Sequence, residues 1–378
     1  MLCRFRVATT PLFKTARSAA NSPKRATLTY SNFTERKHTM ASNHAAWITA
    51  PKARPFQVMP SPRGVPAANQ ILIKNHAVAI NPIDYKLQQL AVYPLEYPTI
   101  LGQDVAGEVV AVGPQVTRFK EGDRVIGTTS GFATKLHEEK AFQEYTILQT
   151  NLASEIPDSI SFEQAVVLPL AIATAASGLF NDDFLALQLP TVPAQKPTGS
   201  VLLVWGGASS VGSNAIQLAV AAGYEVVTTA SSKNFEYVKQ FGASHVFDYN
   251  SPTVVSDLVD TCKGKKIVGA FDAVGGAAWA LTFEFVEKSE GAKFVASTVP
   301  RFPEAPDGIT VKQVYSLSVM KNRVGKAVFE DFLPAALRNG AYIPAPGPLV
   351  AGKGLEKIQA GVDLLSKGVS AQKVVVLL

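Results

Sequence analysis

The run "VLLVWGGASSVGSNAIQLAVAAGYEVVTTASSKN", residues 201–234, constrains this chain more than any other. It reads as an apolar strand, a glycine turn, a helix and a second strand. Gly206, Gly207 and Gly212 follow the first strand, and the helix behind them carries Ile216, Leu218, Ala219 and Val220 up to Gly223. The order Gly207-x-Ser209-x-x-Gly212 keeps dinucleotide-binding spacing, with serine in place of the middle glycine. Residues without bulk let a backbone approach a pyrophosphate, and the unpaired N–H groups at a helix start attract its charge. Gly207, Ser209, Ser210, Val211 and Gly212 are therefore candidate cofactor contacts. The plainer alternative is a tight turn in some other α/β protein.

The end of the second strand bears on which dinucleotide is held. A free ribose 2′-hydroxyl is usually gripped by an Asp or Glu about 20 residues after the first glycine. Here the chain reads Thr229, Ala230, Ser231, Ser232, Lys233, with no carboxylate. Hydroxyls and an ammonium suit a 2′-phosphate, so Ser231, Ser232, Lys233 and Asn234 favour NADPH over NADH. The same four residues can also cap the helix "NFEYVKQFG", and the two roles are compatible.

Around this unit the chain divides. From 45 to 150 it holds short β-type runs, among them "ILIKNHAVAI" (71–80), "DVAGEVVAVG" (104–113) and "AFQEYTIL" (141–148), which predict a small barrel-like β domain. "IPDSISFEQAVVLPLAIATAASGLF" (156–180) predicts a helix broken at Pro169. Beyond it, strands at 201–206, 225–231, 245–249 and 267–275 alternate with helical patterns, as in a doubly wound parallel sheet. A fifth follows at 293–298, and a last apolar strand, "KVVVLL", needs a sheet to join. The apolar runs are interrupted before the roughly 18–20 residues of a membrane span, so no membrane role is expected. Two distant cysteines, Cys3 and Cys262, exclude a disulfide framework and a cysteine-rich zinc lobe.

The net charge of +6 lies in the first tenth of the chain. Residues 1–39 carry eight basic residues against the single acid Glu35, leaving 28 basic and 29 acidic residues from position 40 onward. A neutral body gives no nucleic-acid footprint. The leader has the composition of a mitochondrial transit segment, or it is an extension before a start at Met40; both readings stand. The chain is expected in the cytoplasm, or in mitochondria if the leader is a transit segment, and not among secreted proteins.

"GQDVAGEVVAVGPQVTRFKEGDRVIG" followed by "GGASSVGSNAIQLA" resembles the medium-chain dehydrogenase/reductase superfamily, above all its zinc-free quinone reductases and the trans-acting enoyl reductases of polyketide pathways. The likeness covers about 43–378. It implies an α/β protein with a GroES-like domain over 43–168, completed by 340–378, and a Rossmann domain over 169–339, the active site lying between them. Zinc-dependent members carry Cys, His and Cys or Asp ligands where this chain has Asn81-Pro82-Ile83-Asp84, Gly102-Gln103-Asp104 and Pro169-Leu170-Ala171. The resemblance therefore implies no metal.

What remains is hydride transfer to an acceptor already activated by conjugation. By the resemblance, Lys86 in "NPIDYK" and Thr174 in "LAIATA" are the catalytic candidates, and Asp84, Tyr249, Val274, Ser297 and Thr298 join the cofactor contacts. The plainer readings are a solvated loop lysine and a helix-interior threonine bonded to its own backbone. Asp248 and Asp272 read as turn formers, and the histidines make no spaced pair. The expected function is an NADPH-dependent, metal-free reductase of an enone, enoyl thioester or quinone. Its substrate is a small molecule, with a polyketide synthase as a further partner in the enoyl reductase reading and monomer and homodimer both open. A non-catalytic NADPH binder and a zinc-type alcohol dehydrogenase relative with altered ligands are the alternatives.

Overall fold

The structure of the chain is a computed structural model that describes residues 42–378. The basic leader, residues 1–39, and the choice between Met1 and Met40 lie outside the described residues. Two large sheets organise the rest. The first, of seven strands, runs Gly347–Lys353, Gln372–Leu377, Gln70–Ala79, Asp104–Val112, Arg124–Thr128 and Ala153–Glu155, with Tyr145–Gln149 also paired to Gln70–Ala79. Its bonded neighbours are antiparallel apart from Gly347–Lys353 and Gln372–Leu377, which run parallel. The last apolar strand thus pairs with Gln70–Ala79 and joins the first sheet. A three-stranded sheet, Gln57–Ser61, Asn43–Ile48 and Thr99–Ile100, packs beside it, and Trp47, Ile48, Phe142 and Val376 share one core.

The second large sheet holds six parallel strands in the order His245–Asp248, Glu225–Ala230, Ser200–Trp205, Lys266–Asp272, Phe294–Ser297 and Thr310–Gln313. Counted along the chain this is 3-2-1-4-5-6, the doubly wound order of a Rossmann fold. Val201–Val204 and Val226–Val227 are fully buried because helices cover both faces, which explains their unbroken apolar sequence. The strand order reverses between Ser200–Trp205 and Lys266–Asp272. At that point the first connections leave in opposite directions and open a crevice at the strands' carboxyl ends.

The apolar stretch before this sheet behaves differently from expectation. Pro169 does not simply break a helix: Phe162–Ala165 ends first, and Pro169 then opens Pro169–Phe180 at its first turn, where a missing N–H costs nothing. Taken as one stretch, Phe162–Phe180 spans 19 residues and is by length and composition enough to cross a membrane, although it is interrupted at Pro169 as the sequence suggested. Its apolar window is 72% buried inside the fold. Ala173, Ala176 and Leu179 pack against the helix Ser210–Ala221 and its neighbours in the largest core of the protein.

Candidate functional site

The site is built from the glycine turn outward. Gly206 has φ +87°, a conformation that side chains disfavour, and a Cβ placed there would meet Val274 Cγ2 at 2.3 Å. This contact brings the turn after Ser200–Trp205 against the turn after Lys266–Asp272, across the crevice. A Cβ on Gly212 would lie 2.2 Å from the Gly206 carbonyl oxygen, so the helix start can sit this close to the turn only without a side chain. Ser209 caps the helix, its Oγ accepting the Gly212 N–H at 3.0 Å. Gly207 donates its N–H to Thr229 O at 2.9 Å, and Gly206 donates to Thr229 Oγ1 at 3.0 Å. Gly207 and Gly212 are both buried, so they set the close approach, and the accessible part of the helix start is left to the half-buried Ser209, Ser210 and Val211.

A dinucleotide fits these residues. Ser210 Oγ is buried at the first turn of the helix and has no hydrogen-bond partner among the described residues. The N–H groups of a first helical turn have no intrahelical acceptor either. Unmet donors, a positive helix end and a turn without bulk call for an anion of pyrophosphate type.

At the tip of the next strand, Ser232 and Lys233 are exposed, and Ser231 and Asn234 are half-buried. Ser232–Asn234 forms a 3-10 turn before the helix Phe235–Lys239. Asn234 stands at the cap position of that helix but makes no capping bond; its amide donates to Ser231 Oγ at 3.1 Å and Ser370 Oγ at 3.3 Å. Lys233 has no ion pair or side-chain hydrogen bond among the described residues. Tyr249, 45% exposed, follows the neighbouring strand His245–Asp248, and Val274 is 51% exposed.

Two other residues take tasks different from those expected. Ser297 is fully buried, with its hydroxyl donating to Asp272 Oδ2 at 3.2 Å and accepting from Trp279 Nε1 at 3.2 Å. That hydroxyl is committed inside the fold and is not free for a nicotinamide carboxamide, leaving the half-buried Thr298 beside it. Asp272 accepts the N–H groups of Val274 and Gly275, both at 2.9 Å, as a turn former should. Asp84 is also turned inward, 1% exposed, with Oδ2 accepting the Asn81 N–H at 2.7 Å, so its carboxyl holds its own loop and does not present itself to a cofactor.

Burial pushes the Asp84 carboxyl up from 3.8 to about 7; Asn81 N–H bonding works against this, and the nearby Asp104 adds to it. The folded protein therefore binds a proton here that the unfolded chain has released. Stability contributed by Asp84 is full below pH 4 and is lost as pH rises through about 7. Denaturant titrations at pH 5 and 8 are expected to register that loss, and Asp84→Asn, which keeps an acceptor for Asn81, is expected to flatten it.

Lys86 is half-buried where the short helix Pro82–Tyr85 passes into a π-turn, and its ammonium has no partner among the described residues. Thr174 is half-buried in an otherwise largely buried helix, one turn after the half-buried Leu170. Its hydroxyl proton goes to Leu170 O at 2.7 Å, so toward any substrate this group can act only as an acceptor.

Nothing in the spacing pointed to the hub that ties these segments together. Asp104, fully buried, accepts the Leu170 N–H at 2.6 Å and the Asn81 side-chain amide at 2.8 Å, and it pairs with Lys373 at 3.0 Å. Lys373 also donates to Asn81 Oδ1 at 2.5 Å. One carboxylate thus joins the first sheet, the loop before Lys86, the helix bearing Thr174 and the C-terminal strand. The only trace in the sequence is a lysine directly before the apolar run of the last strand. Both polar ends of the Asn81 side chain are used here. Among the described residues no group of three or more His, Cys, Asp or Glu side chains is placed to hold a metal ion.

Comparison with known proteins agrees with this architecture. Residues 67–158 match the family "Alcohol dehydrogenase GroES-like domain", and residues 210–336 match "Zinc-binding dehydrogenase". The protein named "zinc-binding alcohol dehydrogenase domain-containing protein cipB" of Emericella nidulans is 57% identical over 89% of this chain and 98% of its own length. The chain belongs to the medium-chain dehydrogenase/reductase superfamily. "Trans-enoyl reductase himH" of Aspergillus japonicus is 40% identical over 88% of this chain and 97% of its own. An alcohol dehydrogenase superfamily protein from Novosphingobium aromaticivorans has the same fold, with a TM-score of 0.72 at 25% identity over 89% of this chain and 99% of that one. This protein is an oxidoreductase of medium-chain type, acting on small molecules, and its superfamily binds a nicotinamide cofactor.

Proposed function

We propose that this oxidoreductase uses NADPH, works without zinc, and reduces a conjugated carbonyl, enoyl thioester or quinone. The observation that carries the reading is the strand tip Ser231–Lys233, where two hydroxyls and an ammonium unpaired among the described residues stand and no carboxylate follows the strand; Asp248, opposite Ala230 on the next strand, is bonded to Asn250. NADPH, when bound, supplies the hydride. Ser209, Ser210 and Val211 would hold its pyrophosphate at the helix start, with Tyr249 beside the 2′-phosphate and Val274 and Thr298 beside the nicotinamide. Lys86 would offer a positive charge to the acceptor oxygen as negative charge develops there. Thr174 would orient the substrate by accepting a hydrogen bond.

The absence of zinc is favoured by the donor set. By the resemblance, an amide spent on Asp104 and Lys373, a glutamine, and the stretch Pro169-Leu170-Ala171 with no metal-binding side chain stand where zinc-dependent members carry ligands. Dialysed, active protein is expected to contain no stoichiometric zinc by elemental analysis. Zinc at one per chain, lost to a chelator together with activity, would overturn this.

Oxidation of NADPH followed in the presence of a panel of quinones, enones and pantetheine enoyl thioesters tests the reaction itself. No turnover with any of them would sink it. The 40% identical relative named a trans-enoyl reductase favours the thioester, and with it a polyketide synthase as the partner that presents the acyl chain. Lys86→Met is expected to lower kcat about 10-fold. This falls below the 10²–10³ lost with a desolvated oxyanion donor, because water screens a half-exposed ammonium. An unchanged kcat with a raised KM would make Lys86 a binding group alone.

A further inference from the structure

A cavity of about 410 Å³ opens in the first sheet's half of the molecule, within the size range of small-molecule sites. Every residue that lines it falls between Asp84 and Lys140, so none belongs to the glycine turn or to the six-stranded sheet. It borders the loop that carries Asp84 and Lys86 and includes Gln103, so a molecule held there would lie beside the site proposed above, and its binding can be read without turnover. Leu87, Ile100 and Leu101 form buried apolar wall, and Phe132, 36% exposed, lies at the mouth, edge-to-face with Tyr93 at 6.2 Å between ring centroids.

Two polar groups in this lining are incompletely served. Lys140 is half-buried and donates to Thr99 Oγ1 at 2.6 Å, but no carboxylate lies within ion-pair distance of it among the described residues. Glu96, whose charge acts on it, is paired with Lys135 at 3.1 Å. Asp84 Oδ1 is the only buried side-chain atom of the lining with no hydrogen-bond partner among the described residues. Asp84 is held on its own loop through the Asn81 N–H and makes no ion pair with Lys140. The lining thus carries one ammonium, that of Lys140, with no carboxylate in contact with it among the described residues.

From this geometry we infer that the cavity is a binding site for a small aromatic anion, with its ring on Leu87, Leu101 and Phe132 and its charge on Lys140 Nζ. Apolar walls and an aromatic mouth select a flat ring. A lone ammonium inside them selects a carboxylate or phenolate, since a charge-assisted bond is strongest where water is excluded.

The test is calorimetry on the full chain with 2-naphthoate and its neutral counterpart 2-naphthamide, and it requires no turnover. The naphthoate should bind at least about 10-fold more tightly than the amide. Lys140→Met should abolish that preference and Lys140→Arg keep it, with unchanged melting temperatures showing that both variants fold. Phe132→Ala should weaken both probes to a similar extent. Absence of binding, equal affinity for the two probes, or a preference that survives Lys140→Met would overturn the inference. So would probes indifferent to Phe132→Ala, since they would then sit elsewhere. A reductase that turns over its acceptor while failing this test would leave the proposed reaction standing and remove only this site.

Discussion

Lys373→Met should destabilise the protein by about 3–5 kcal/mol, the usual cost of removing one partner of a buried ion pair. Asp104 is fully buried and Lys373 is 5% exposed, so no solvent would replace the lost ammonium. The penalty arises from the uncompensated carboxylate, and neutralising it should recover most of the loss. In Lys373→Met with Asp104→Asn, position 104 can still accept the Leu170 N–H. Asn81 Oδ1, released from Lys373, can then turn to accept the new amide. Urea denaturation of wild type, the single variant and the pair measures this. A loss below about 1 kcal/mol in the single variant would mean that water reaches Asp104, and no recovery in the pair would mean that Lys373 acts through packing.

The second large effect is on cofactor choice. Lys233→Ala should weaken NADPH binding roughly 10- to 150-fold, with solvent exposure of the loop pulling the value toward the lower end. The 2′-phosphate is all that separates the two dinucleotides, so NADH affinity should barely change. Paired titrations of NADPH and NADH on wild type and variant decide it. Equal losses for both would make Lys233 a support of the fold, and unchanged NADPH affinity would put the phosphate elsewhere.

Much of the architecture could be read from local pattern. Strands predicted at 201–206, 225–231 and 245–249 stand at Ser200–Trp205, Glu225–Ala230 and His245–Asp248, because apolar runs between glycine turns and amphipathic helices have few other ways to be buried. The edge strands Thr310–Gln313 and Gly347–Lys353 were not read, being partly exposed and rich in polar residues or glycine, with little alternation to mark them. The tasks of single side chains were harder still. Ser297 and Asp84 have chemistry suited to a ligand, and the sequence cannot say that each has spent it on a neighbour.

By itself the sequence determined the doubly wound sheet, the glycine turn with its helix start, and the missing acid after the second strand, since each depends on residues within about one strand–helix–strand unit. Only the tertiary structure decided what depends on distant residues meeting. Lys373 reaches Asp104 from 269 positions along the chain, because the last strand returns to pair with Gln70–Ala79. Asp84 loses its exposure, and Lys140 is left without an anion, through the packing of loops from Pro94 to Lys140 around one cavity. Whether a charge meets a partner or water is fixed by burial, and burial is a property of the assembled core.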